Sequence, residues 1–436
     1  MNNSLKGIYV RISFITAIIL MTGNCVVAQE KGIRFEHNLT WQQLLAKAKA
    51  ERKYIFVDCY ATWCVPCRKM DQKVYTDSLL GGYVNKVFIS VKVQMDSTKN
   101  DNEYVNLWRN DARQLEKAGK VGVYPSFLFF DPNGQLVYKE VGYHSVLDFL
   151  KITMNASDPE KQIYSLLEKY REGSLYDATI LSLINKMENA DDRQAAEEVA
   201  IPYIHNYLIK KTGDKLFTPT NINLMSRFLS ISEDPVFDLF RQSEGKIDTI
   251  MNARAFVFNK IFEIVNKEYF APKLWFGKQP ITKKPNWGEL AKPIAIKYGQ
   301  ELAARVMIYE KVSFYTGTEQ WKELVESEIW QVEKYKQDFA PAQINDMVFS
   351  HFFLHSDDKN ALQTAAGWFK TIVDRYPNKV EWLDTYANLQ YKLGNKQEAI
   401  ALEQKAHKLA RREDDRKDTG DALAKMQANK PTWPTK

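Results

Sequence analysis

Cysteine is scarce in this chain, four among 436 residues. Cys25 closes an apolar stretch near the start, which leaves Cys59, Cys64 and Cys67 for the rest. Three thiols make one pair and an odd one, so no disulfide scaffold holds the fold together. The six histidines are scattered, and no second ligand pair accompanies the cysteines. That argues against zinc, and neither a metal nor a cofactor is expected. A one-sided charge is missing too: 60 basic residues face 54 acidic ones, for a net charge of +6. No basic stripe stands out, so nucleic acid is not an expected partner. With 45% hydrophobic and 13% aromatic residues, there is material for two or three packed cores and little room for extended disorder.

The only long apolar run near the N-terminus is short for a membrane span. Lys6 and Arg11 precede Ile12–Met21, and Val26-Val27-Ala28 offers a small-residue cleavage site. This pattern predicts a signal peptide over 1–28, cleaved near Ala28, and an exported protein, periplasmic in a bacterium. An uncleaved anchor is the alternative. A lipid attached at Cys25 is a third, disfavoured because Asn24 rather than a small residue precedes it.

What is present is a dithiol in a suggestive setting. The apolar run Tyr54–Tyr60 leads into Ala61-Thr62-Trp63-Cys64-Val65-Pro66-Cys67, and a helix-compatible stretch follows. A cysteine at a helix start is exposed to unpaired N–H groups and the helix dipole, which favour its thiolate. Before it, Thr40-Trp41-Gln42-Gln43 has capping-box spacing and predicts a helix to about Lys49. After it, the pattern predicts a helix from Arg68 to about Asn85, interrupted near Asp77 or Gly81-Gly82. Strands at Val87–Met95 and Ser126–Phe130 follow, then a turn at Asp131–Gly134 and a hairpin strand at Leu136–Val141. A helix begins at Val146. Read as one sheet, the early strands are parallel and the hairpin is antiparallel.

Over about residues 33–153 the chain resembles the thioredoxin superfamily, and its periplasmic disulfide-reductase type in particular. The resemblance rests on four features in register. Val57-Asp58 leads into Ala61-x-Trp63-Cys64-x-Pro66-Cys67, and Lys92 stands in the next strand. Gly122-Val123-Tyr124-Pro125-Ser126 is similar to the family's cis-proline loop, and Gly142 follows the hairpin. The resemblance implies a thioredoxin-like α/β domain over 29–155 and a redox disulfide between Cys64 and Cys67. Cys64 is then the exposed attacking thiolate and Cys67 the resolving thiol. Asp58 takes the proton from Cys67, and Lys92 tunes Asp58. Trp63, Pro66, Tyr124 and Pro125 become substrate-binding residues. Gln72 stands where the family often has a helix-kinking proline, and residues 96–125 are longer than in a minimal thioredoxin. Cys59 is read as a small buried hydrophobe. Reducing, oxidising and isomerising activities all remain open at this level.

From 156 to 436 amphipathic helical patterns follow one another, so this part is expected to be an all-α domain. Among the expected helices is a continuous one over Thr249–Glu268. Residues 269–286, rich in proline and aromatics, form a long connection that packs down. Over about 358–410, Ala365, Phe369, Pro377, Ala387, Gly394, Ala399 and Ala406 resemble tetratricopeptide repeats, with Ala365 to Ala399 one 34-residue step. Glu403 departs from that pattern, standing where a large apolar residue is usual. No catalytic constellation occurs here.

The expectation is an exported thiol-disulfide oxidoreductase that reduces protein or peptide disulfides. It would draw on a membrane electron donor, and its helical part would bind a client or protein partner. The alternative is a helical-repeat adaptor whose thioredoxin-like domain serves docking or redox sensing.

Overall fold

In the computed structural model, which describes residues 32–175 and 177–434, the first described element is a short strand, β1 (Phe35–Glu36). Helix α1 (Trp41–Glu51) follows, closed at its start by the expected capping box of Thr40 and Gln43. Next come β2 (Tyr54–Tyr60), α2 (Val65–Lys73), α3 (Ser78–Val87) and β3 (Phe88–Gln94). Two helices, α4 (Glu103–Leu107) and α5 (Arg109–Ala118), fill the segment that is longer than in a minimal thioredoxin. The hairpin β4 (Ser126–Phe130) and β5 (Leu136–Val141) and then α6 (Val146–Ala156) complete the α/β part. The sheet order is β1-β3-β2-β4-β5. β2 runs parallel to β3 and antiparallel to β4, and β4–β5 is antiparallel. This is the mixed thioredoxin-like sheet that the sequence implies. The expected leader over 1–28 lies outside the described residues. No described helix is long and apolar enough to cross a membrane.

Strand β2 explains the position of everything that follows. Its side chains alternate between two covered faces. Ile55, Val57 and Cys59 enter one core with Leu44, Ala48, Val91, Leu115 and Leu128. Phe56 faces the other way, into an aromatic cluster with Tyr75, Phe127, Phe129 and Phe149. By the same alternation Asp58 lies on the aromatic face, an acid among rings.

The helix interruption falls at Val74–Asp77, where Asp77 caps α3 by accepting from the Leu80 N–H at 3.0 Å. Gly81 and Gly82 lie inside α3. Gly81 is there for close approach: a Cβ on it would fall 2.2 Å from the Gly32 carbonyl oxygen.

The described residues form two compact units, one running to Tyr207 and one from Leu208. The first therefore includes three helices beyond residue 155: α7 (Ile163–Arg171), α8 (Asp177–Asn189) and α9 (Arg193–Asn206).

The second unit is largely helical. The continuous helix expected over 249–268 is broken. One helix ends at Met251 and the next starts at Phe256. Between them Asn252 and Ala255 take left-handed backbone conformations, with φ of 48° and 52°. Asp248 accepts from the Val257 N–H at 3.0 Å and so supports the new helix start. Residues 269–286 pack down in part, as expected. Phe270 and Leu274 are buried, and Trp275 lies against Phe314 with ring centroids 5.3 Å apart. Trp275–Phe276 and Gln279–Pro280 make a small antiparallel hairpin.

The last helices run Lys359–Arg375, Val380–Leu393, Lys396–Leu409 and Glu413–Gln427. Ala365, Phe369, Ala387, Ala399 and Ala406 are all fully buried, and Gly394 closes its helix with φ 95°. Glu403 is fully buried too, and neither carboxyl oxygen has a hydrogen-bond partner.

Candidate functional site: a dithiol beside a cis-proline loop

Cys64 is the N-cap of α2, with Val65 and Pro66 as the first helical residues. Proline fits there because the first turn has no use for its missing N–H. The Cys67 N–H points at the Cys64 sulfur at 3.1 Å. The two cysteines form a disulfide, with Cα atoms 5.4 Å apart. A thiolate formed at Cys64 would sit where the unpaired N–H groups of α2 converge.

The loop before the helix is held from two sides. Asp96 accepts from the Thr62 N–H at 3.0 Å and also from the Thr62 hydroxyl. Arg68 donates to the Thr62 carbonyl at 3.0 Å. Asp96 and Arg68 were not singled out by sequence reasoning. Arg68 lies directly after Cys67, but the strand-end position of Asp96 gives no sign that it reaches Thr62.

Opposite the helix start, the Tyr124–Pro125 peptide bond is cis. The Pro125 carbonyl accepts from the Gly142 N–H at 2.9 Å, which gives the glycine after the hairpin its place. The Ser126 hydroxyl donates to the Val123 carbonyl at 2.7 Å. Trp63 meets Tyr124 edge to face, centroids 5.8 Å apart. Ala61, Cys64 and Cys67 cluster with Tyr60 and Tyr124. The structure thus brings Trp63, Cys64, Cys67, Tyr124 and Pro125 into one neighbourhood, with Pro66 exposed on the helix start.

One expectation needs correcting. Cys64 is not exposed in the disulfide form: only 2% of its surface is accessible, and Cys67 shows 3%. Tyr60 and Tyr124, from β2 and the cis-proline loop, provide the cover. Trp63 is 66% exposed, so the indole rather than the sulfur meets solvent.

Asp58 and Lys92 form a second group. Register pairs them across β2 and β3, and Lys92 Nζ lies 3.7 Å from Asp58 Oδ2. Asp58 is buried, and its Oδ1 has no hydrogen-bond partner. Burial pushes its carboxyl up to about 6, against the pull of the Lys92 charge and with a further push from Asp71. Lys92 is shared, because it also pairs with Asp71 on α2 and lies over the Tyr60 ring at 4.9 Å. Tyr75 also faces Asp58, and its buried hydroxyl meets no partner at hydrogen-bond geometry. Sequence reasoning missed Asp71 and Tyr75. Asp71 stands four residues after Cys67, so helical spacing could have drawn attention to it. Among the described residues, no hydrogen bond joins Asp58 to either sulfur. Cys59, on the opposite face of β2, is a buried free thiol that burial pushes upward. No described group of histidine, cysteine and acidic residues could hold a metal ion.

Fold and site together define a thioredoxin-like domain with a paired dithiol at a helix start. Residues 41–156 match the family model described as a thioredoxin-like domain. A thiol:disulfide interchange protein, DsbD, of Yersinia pestis is 28% identical over 136 residues, 30% of this chain and 21% of that protein. A protein of the same name from Pseudoalteromonas atlantica is 29% identical over 117 residues, 27% of this chain and 17% of its own. The chain thus spans about a fifth of the length of these curated relatives. Among solved structures, a candidate disulphide-isomerase from Bacteroides thetaiotaomicron is 32% identical. It covers 29% of this chain and 93% of its own, with a TM-score of 0.24. An oxidoreductase named DsbH, 17% identical, covers 31% of this chain and 90% of its own, with a TM-score of 0.26.

Proposed function

We propose that this chain is an exported thiol-disulfide oxidoreductase that reduces disulfides in protein or peptide clients. The observation that carries the reading is the Cys64–Cys67 pair at the α2 start, facing the cis Tyr124–Pro125 loop. In the reduced protein the Cys64 thiolate attacks a client disulfide. A Cys64–client bond forms and one client thiolate leaves. Cys67 loses its proton and attacks the Cys64 sulfur. The mixed disulfide breaks, the second client thiolate leaves, and the Cys64–Cys67 bond closes. Two electrons pass to the client, and a dithiol donor, at the membrane in this reading, restores the pair.

Each surrounding residue has a part in this. Asp58, with a carboxyl near 6, is ionised at neutral pH and can accept the Cys67 proton directly or through water. Lys92 sets how readily Asp58 does so. The Val123–Tyr124 backbone beside the dithiol offers a client strand hydrogen-bonding groups, and Trp63 and Pro66 shape the approach. Insulin reduction tests the reading. Wild type is expected to be active and Cys64→Ser inactive, and equal rates in both would sink it. A strongly negative potential for the Cys64–Cys67 pair is expected of a reductant, and one near the oxidising end would reverse the direction proposed.

The unit from Leu208 serves in this reading to bind a client or partner. The buried alanines and Phe369 between successive helices at 359–409 support a tetratricopeptide-like packing there. Pull-down with residues 208–436 tests it. Partners retained by this unit without the dithiol would favour the adaptor reading for the whole chain.

A further inference from the structure

The three helices α7–α9 lie beyond the stretch matched by the family model, yet they reach the loop that carries the cis-proline. The contact is made at the turn between α8 and α9. Asp192 caps α9 by accepting from the Ala195 N–H at 3.2 Å, and it is 3% exposed. The same oxygen accepts from Lys120 Nζ at 2.8 Å, and the other accepts from the Tyr164 hydroxyl at 3.4 Å. Gln194 gives Lys120 a second acceptor at 3.2 Å. Asp191, next to Asp192 and at φ 52°, turns its carboxylate toward Gly122: a Cβ on Gly122 would lie 4.0 Å from Asp191 Oδ2.

Lys120 is gripped at its backbone as well. Its carbonyl accepts from Lys139 Nζ at 2.9 Å, and Lys139, on β5, is fully buried. Lys120 itself holds a left-handed conformation, φ 46°. A non-glycine residue persists there only when its surroundings over-determine it. Five residues later comes Pro125. The helical side of the clamp is itself braced, since α7 rests on β5 and Arg171 makes two hydrogen bonds to Glu198 on α9, at 2.8 and 2.9 Å.

We propose that α7–α9 are a working part of the redox unit, and that Asp192 acts through Lys120 as a positioning residue for the client-docking loop Gly122–Pro125. This rests on the client-docking role given to that loop above. A core contact alone would not need it: the Lys120 side chain is 48% exposed, so its pairing with Asp192 contributes little burial. What the pair does is hold the base of a loop whose backbone must lie at a set distance from Cys64.

The test is Asp192→Asn, which keeps a capping oxygen and removes the charge. With insulin as substrate, KM is expected to rise about fivefold, the size of one part-exposed ion pair. The reduction potential of the Cys64–Cys67 pair is expected to stay the same. Lys120→Met should reproduce the change, Lys120→Arg should restore wild-type KM, and the double variant should be no worse than either single one. A second readout needs no turnover. Amide hydrogen exchange over 120–125 should speed up in Asp192→Asn, while β2 keeps its protection. Unchanged exchange in that loop overturns the proposal, as does an unchanged KM. Wild type failing to reduce insulin while its loop loosens in the variant would count against the client-reducing reading, and the clamp would stand.

Discussion

Asp58 keeps one carboxyl oxygen buried and unpartnered on a strand where it is the only ionised side chain among aliphatic, aromatic and thiol groups. Such a group is costly to bury in charged form. The unfolded chain releases this proton near pH 3.8 and the folded protein only near 6. Between those values the folded state binds more protons, so stability falls as pH rises through the window and is level above it. The difference amounts to at most about 3 kcal/mol at neutral pH. Asp58→Asn is therefore expected to be more stable than wild type at pH 7.5 and no more stable at pH 3.5, as urea unfolding of the oxidised protein would show. Its catalysis should move the other way. Single-turnover reduction should lose the rise with a midpoint near pH 6 and slow roughly tenfold or more. A variant that keeps that limb would remove Asp58 from the proton path. The Asp58–Lys92 pairing was legible because two positions on neighbouring strands came into register. The cover over Cys64 was not, because Tyr60 and Tyr124 lie 64 residues apart in the chain and converge only when β2 and the cis-proline loop meet.

Helix α3 depends on the absence of a side chain at Gly81. The backbone of Gly32 occupies the space a methyl group would need, and a main chain yields less than a flexible side chain. Gly81→Ala is expected to destabilise the first unit by about 1–3 kcal/mol, whereas Gly82→Ala, with open space around it, should be neutral or slightly stabilising. Thermal unfolding of the two variants separates these outcomes. In the second unit Glu403 holds an inward position among buried alanines. Burial and the neighbouring Asp384 carboxyl both push its proton release far upward, so the folded unit keeps a proton that the unfolded chain gives up above the ordinary carboxylate range. Stability falls with rising pH over that span. Glu403→Gln should flatten this slope and raise Tm by at least about 2 °C at pH 8. An unchanged Tm would mean that Glu403 is solvated or paired. Sequence patterning found the outline of these helices because apolar spacing survives a single buried acid. It missed the break at 252–255 because left-handed turns at Asn252 and Ala255 leave the apolar period on either side intact.

At the scale of the molecule, two units with separate cores make a single unfolding free energy an unsuitable description. The α/β part was readable because its strands are short apolar runs bounded by turn residues and its motif residues fall in a fixed order. The helices α7–α9 carry no such motif, and their contacts with Lys120 and β5 arise only from the folded arrangement. The second unit also carries its own marker. In its small hairpin, Phe276 is 83% exposed, and the residues from Gly277 to Lys284 lie almost wholly at the surface, with Lys278, Lys283 and Lys284 among them. Exposed tips of this kind are where proteases begin. Brief digestion with trypsin or chymotrypsin is expected to nick the native protein there first, and mass spectrometry of the fragments would check it. A nick at 276–284 would leave the dithiol and its clamp on the larger fragment and the 359–427 helices on the smaller one. That gives the experimenter a natural seam in the chain, at which labels, tags or an inserted reporter can be placed without touching the sulfur chemistry.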